Sequence, residues 1–190
     1  MNIFDIAKQN QEKAWQVIKN TNIIQIWEDA GAKINLVGSL RTGLLMKHRD
    51  IDFHIYSSPL NLTDSFQAMA RLAENPSIKR IECANLLHTA EACIEWHAWY
   101  QNEENELWQM DMIHIREGSR YDGYFEKVAQ RISEIMTDEI RETILRLKYE
   151  TPETEKIIGV EYYQAVIRDD SGFKEWRKQH PVTGVVEWMP

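Results

Sequence analysis

Two carboxylates set two residues apart, inside a run that alternates apolar and polar side chains, constrain this chain more than any other feature. Asp50-Ile51-Asp52-Phe53-His54-Ile55-Tyr56 has a period of two. It reads as a strand with one buried face and with Asp50, Asp52 and His54 on the other. Side-by-side carboxylates raise each other's pKa, and a hard divalent cation between them removes that penalty. Upstream, the apolar run Ile34-Asn35-Leu36-Val37 ends at Gly38-Ser39. Such a turn offers backbone N–H groups and a hydroxyl to a phosphate, with no side chain in the way. A third carboxylate, Asp111, stands inside the apolar run Met110-Asp111-Met112-Ile113. Burying it alone is costly, so it calls for a partner such as a cation shared with Asp50 and Asp52. These features together describe a site for a metal ion and a nucleoside triphosphate.

The rest of the chain reads as α+β, a mixed sheet with flanking helices. Residues 6–30 have helical character, divided near Asn20-Thr21-Asn22, with Gly31 as a C-terminal cap. Residues 63–74 form a further helix, closed by Pro76. Residues 78–83 suit a strand. Residues 93–101 and 107–115, rich in aromatic and β-branched side chains, flank the polar run Asn102-Glu103-Glu104-Asn105 as a β-hairpin. Beyond Gly118 the spacing is helical: one helix over 124–149, then helices over 155–168 and 173–179. The expected division is a core over 1–118 and a helical C-terminal region over 119–190.

Composition narrows the function classes. The 190 residues carry 22 Lys and Arg against 30 Asp and Glu, a net charge of −8. A chain that grips long nucleic acid through its phosphates normally shows a basic face, so polymeric nucleic acid is expected to be an unlikely partner. An acidic total also does nothing to attract an anionic membrane. Two cysteines, Cys83 and Cys93, are too few for a disulfide framework or a four-thiolate zinc site. With no signal-peptide pattern and no apolar run of membrane-spanning length, a cytoplasmic protein is expected.

Val37-Gly38-Ser39, ten residues, Asp50-Ile51-Asp52-Phe53 and then Met110-Asp111-Met112 resemble the signature of the polymerase-β-like nucleotidyltransferase superfamily. Gly38-Ser39-Leu40-Arg41-Thr42-Gly43-Leu44 also resembles a run found in non-classical poly(A) and uridylyl transferases. The likeness covers roughly residues 31–115. One departure is Lys47-His48-Arg49 before Asp50, where relatives often carry small polar residues. The resemblance implies that Asp50 and Asp52 hold two magnesium ions, and that Asp111 binds the ion that activates an attacking hydroxyl. It also implies that Gly38 and Ser39 touch the β- and γ-phosphates of an NTP, with ATP the expected donor. Arg41, Lys47 and Arg49 lie near those phosphates and are candidates for neutralising charge.

Glu95 and His97 share one face of a hairpin strand and are candidates for the acceptor side. Trp96, Trp99, Trp108, Tyr121 and Tyr124 read as core rather than as a stacking surface. Only about seventy residues follow the core, so the expected activity is transfer of a nucleoside monophosphate to a hydroxyl of a small-molecule acceptor, as in the antibiotic-modifying enzymes. Two alternatives stay open: a non-catalytic nucleotide-binding or regulatory module, and an enzyme acting on a partner protein.

Overall fold

The computed structural model describes residues 2–152, 154–155, 157–168, 173–181 and 187–190. Its centre is a five-stranded mixed sheet. Helices α1 (Ile3–Thr21) and α2 (Ile23–Asp29) lead into β1 (Lys33–Val37), the single-turn α3 (Gly38–Arg41) and β2 (Asp50–Ser57). Helix α4 (Leu62–Ala73) precedes β3 (Ile78–Asn85), β4 (Cys93–Gln101) and β5 (Leu107–Arg116). The C-terminal helices are α5 (Tyr124–Ile135), α6 (Asp138–Glu150), α7 (Gly159–Arg168) and α8 (Phe173–Gln179). Strand order is β1-β2-β5-β4-β3. The β2–β5 pair is parallel and the other pairs are antiparallel.

The period-two pattern sorts the sheet's faces. Ile51, Phe53 and Ile55 of β2 join Met110 and Met112 of β5 and Trp96 of β4 in a core closed by α1, α2 and α4. Asp50, Asp52 and His54, Gln109 and Asp111, and Glu95 and His97 fall on the opposite face. A second core joins Ala7 of α1, Leu44 and Met46 of the α3–β2 loop, and Ile132, Ile144, Leu145, Tyr162 and Tyr163 of the C-terminal helices. The C-terminal helices therefore pack on the loop that follows the Gly-Ser motif.

The helix expected over 124–149 is two helices. Met136 is extended, and Thr137 caps α6 by accepting a hydrogen bond from the Ile140 amide at 3.2 Å. A continuous apolar period hid this Thr-Asp-Glu start signal. The helix expected over 155–168 begins at Gly159; residues 153 and 156 lie outside the described residues. Among the described residues, no helix is long and apolar enough to cross a membrane.

One buried histidine gives the core an acid sensitivity. His114, 1% exposed, lies between the hydroxyls of Ser57 (2.8 Å) and Ser65 (3.1 Å), and Ser65 also accepts from the Trp96 indole at 2.9 Å. Burial pulls its pKa down to about 4. Above its ordinary pKa of about 6.5 the ring is neutral whether the chain is folded or unfolded. Between that value and about 4 only the unfolded chain takes up the proton, so stability falls as the pH falls. At ~1.4 kcal/mol per pH unit the loss approaches ~3 kcal/mol. Urea denaturation from pH 7 to pH 4 should show this decline, and His114→Gln should flatten that part of it; equal slopes in both proteins would contradict the assignment.

Candidate active site

Strand register gathers the carboxylates. In the parallel β2–β5 pair, Asp52 is the Cα partner of Asp111, and Asp50 is the partner of Gln109. On the flanking strands Val37 pairs with Asp52 and His97 with Asp111. A single row across the sheet thus reads Val37, Asp52, Asp111, His97, Glu82. Asp50, Asp52 and Asp111 line one cleft of about 920 Å³, together with Gly38 and Ser39.

Gly38 is a spatial requirement. Its φ is +66°, and a Cβ built there would stand 1.9 Å from Oδ2 of Asp52. The turn therefore brings bare backbone against the carboxylate, and Ser39, 7% exposed, follows inside α3. Thr42 closes this turn by donating to the carbonyls of Gly38 and Ser39 at 3.2 and 3.3 Å.

The electrostatics are those of crowded acids. Burial, then Asp50 and Asp111, push the Asp52 carboxyl well above the usual range, and Lys148 opposes them. Oδ1 of Asp50 is buried and accepts no hydrogen bond from any described residue. An orphaned carboxylate oxygen beside a carboxyl strained by its neighbours, in an all-oxygen donor set, fits a hard divalent cation such as magnesium. Among the described residues, no three His, Cys, Asp or Glu side chains are already gathered around one point.

Lys148 and Tyr163 are among the cleft residues that sequence reasoning missed. Lys148 of α6 is 3% exposed; its Nζ donates to the Leu44 carbonyl at 2.9 Å, and burial lowers its pKa to about 8 against the pull of Asp50 and Asp52. The available signal was a lysine four residues after Ile144, on the apolar stripe of its helix. Tyr163 of α7 is buried and lines the cleft, and burial raises its pKa. Its signal was weaker, because an aromatic in a helix reads as core.

The three candidate cations of the loop separate. Arg49 lines the cleft and pairs with Glu106 at 3.0 Å. Lys47 donates to the carbonyls of Tyr149, at 2.8 Å, and of Thr151. Neither Lys47 nor the exposed Arg41 lines the cleft. His54 and His97 do line it. Trp96 and Trp108 are core, as expected, whereas Trp99 is half-buried under Arg80, whose guanidinium carbon lies 4.4 Å from the ring centre.

Neither a family profile nor any curated protein matches the sequence. The fold does match solved structures. Cid1 poly(U) polymerase, solved with MgGTP bound, aligns with a TM-score of 0.59 at 14% identity, over 81% of this chain and 48% of that one. A cytoplasmic RNA terminal U-transferase aligns with a TM-score of 0.55 at 11% identity, over 84% of this chain and 49% of that one. The poly(A) polymerase complex GLD-2–GLD-3 aligns with a TM-score of 0.55 at 7% identity, over 87% and 60%. The chain spans about half the length of the solved chains it matches. Its α+β fold is therefore that of the nucleotidyltransferases. The expectation that polymeric nucleic acid is unlikely is overturned, because these neighbours are poly(U), terminal-uridylyl and poly(A) transferases. The net charge of −8 misled because it sums the whole surface, whereas binding answers to the local field of one cleft.

Gly38→Ala tests the close approach. Gly118 also has a positive φ, +74°, but nothing lies within 4 Å of a Cβ there. Gly118→Ala should therefore cost only the ~1 kcal/mol of backbone strain. Gly38→Ala should cost more, by ~1–3 kcal/mol, because Asp52 must also move. Equal midpoints in urea denaturation would show that Gly38 serves the turn alone.

Proposed function

We propose that this chain transfers a nucleoside monophosphate from an NTP to the 3′-hydroxyl at the end of an RNA, releasing pyrophosphate. The observation that carries this reading is the pairing of Asp52 with Asp111 in the β2–β5 register, beside Asp50 and against the Gly38 turn. The fold neighbours favour RNA as the acceptor over the small molecule first expected.

Asp50, Asp52 and Asp111 would hold magnesium. When bound, the metal stabilises the charge that develops on the attacking and leaving oxygens. Asp111 faces the attacking hydroxyl and takes its proton on Oδ2, the oxygen that accepts from neither His97 nor Gln109. The 3′-oxygen forms a bond to the α-phosphorus while the bond from that phosphorus to the β-phosphate oxygen breaks in line, and pyrophosphate leaves. Backbone N–H groups of the Gly38-Ser39 turn and the Ser39 hydroxyl bind the β- and γ-phosphates. Lys148, the buried cation beside Asp50 and Asp52, neutralises charge on the departing pyrophosphate. ATP is the donor to try first, with UTP the immediate comparison.

Asp52→Asn and Asp111→Asn should each abolish magnesium-dependent extension of a labelled RNA while the circular dichroism stays native. Extension at the wild-type rate by either would refute these roles. Lys148→Met should lower turnover by ~10–1000-fold, as loss of a preorganised charge does, with the KM for the RNA unchanged. A rise confined to the RNA KM would place Lys148 on the acceptor side instead.

A further inference from the structure

Asp111 is held differently from the other two carboxylates. Its Oδ1 lies 2.6 Å from Nδ1 of His97 and 2.7 Å from Nε2 of Gln109. A carboxylate that meets a cation only accepts hydrogen bonds, so in that state both nitrogens are the donors. Two donors fill the lone pairs of Oδ1. Oδ2 is left as the oxygen free to meet a cation.

The sheet builds this clamp. His97 is the Cα partner of Asp111 across the β4–β5 pair. Gln109 is two residues earlier on β5, so its side chain leaves the same face. His97 approaches from the β4 side, whereas Asp52 stands on the β2 side of Asp111. All three side chains line the cleft. The far nitrogen of His97, Nε2, lies 3.9 Å from Oε2 of Glu95, too far for a hydrogen bond. Among the described residues, Asp111 is thus the hydrogen-bond partner of the ring.

We propose that His97 and Gln109 are positioning residues that lock Asp111 into single-oxygen coordination, presenting Oδ2 alone to the metal shared with Asp52. The inference rests on the nucleotidyl-transfer reading above. A free aspartate at this point swings between one-oxygen and two-oxygen contact, and ordering it on metal binding weakens affinity. Partners that orient a metal ligand typically contribute about 10–100-fold to metal affinity or activity. His97 and Gln109 touch neither the hydroxyl nor the phosphate in this scheme, so their loss acts through the metal.

Manganese titration followed by electron paramagnetic resonance, in the presence of a non-hydrolysable NTP analogue, reads the effect without turnover. His97→Phe keeps a ring but loses the donor, and Gln109→Leu loses the other. Each should weaken manganese binding by about tenfold or more, and raise the magnesium needed for half-maximal extension to match, with the NTP KM at saturating metal unchanged. His97→Asn, whose amide nitrogen stands where Nδ1 was, should bind within about threefold of wild type. Melting temperatures guard against misfolding, and Gln109→Leu carries the test if His97→Phe does not fold. Wild-type manganese binding in both donor-less variants, with binding lost in Asp111→Asn, would overturn the clamp and leave the site standing. Failure of His97→Asn to restore what His97→Phe loses would also overturn it. Wild-type binding in Asp111→Asn would remove the metal site itself, and the clamp with it.

Discussion

The parallel pairing of β2 with β5 is the constraint from which the rest of the site follows. Asp52 and Asp111 are 59 positions apart in the chain, yet one register makes them Cα partners. A slip of one residue would turn Asp111 into the core and present Met110 or Met112 to the cleft. The register is held because Trp108, Met110 and Met112 pack under α1, α2 and α4 on the other face. The same apolar pattern that buries this core therefore aims the carboxylates outward. Burial and their mutual repulsion are the cost of the arrangement, and a divalent cation would relieve it.

The C-terminal helices complete the site rather than standing beside it. Three basic side chains tie the α3–β2 loop to the helical layer through backbone carbonyls. Lys148 binds that of Leu44, Lys47 those of Tyr149 and Thr151, and Arg141 that of Gly43. A cation that satisfies a carbonyl also fixes the loop that follows the phosphate turn. Lys148 serves both ends, since it lies beside Asp50 and Asp52 as well.

Much of this was legible in the sequence because it depended on local periodicity. The alternation around Asp52 and Asp111, the Gly-Ser turn and the polar turn of the hairpin each state their geometry within a few residues. Residues whose role depends on distant packing stayed hidden. Lys148 looks like any helical lysine until α6 is laid on the α3–β2 loop, and Tyr163 looks like core. Arg41 and Lys47 show the converse: nearness in sequence to the phosphate turn did not bring them to the cleft. The break at Thr137 was missed because the apolar spacing continues across it, although a capping threonine followed by two acids marks the start. Net charge was the least informative number, since it averages over a surface of which the cleft is a small part.

The most direct test of the account is a crystal structure with manganese and a non-hydrolysable NTP analogue, with the ions located by anomalous scattering. The account predicts anomalous peaks within coordinating distance of Asp50, Asp52 and Asp111, with the triphosphate running from those ions to the Gly38 turn. Manganese bound elsewhere, or an Asp111 carboxylate turned away from the ions, would contradict it.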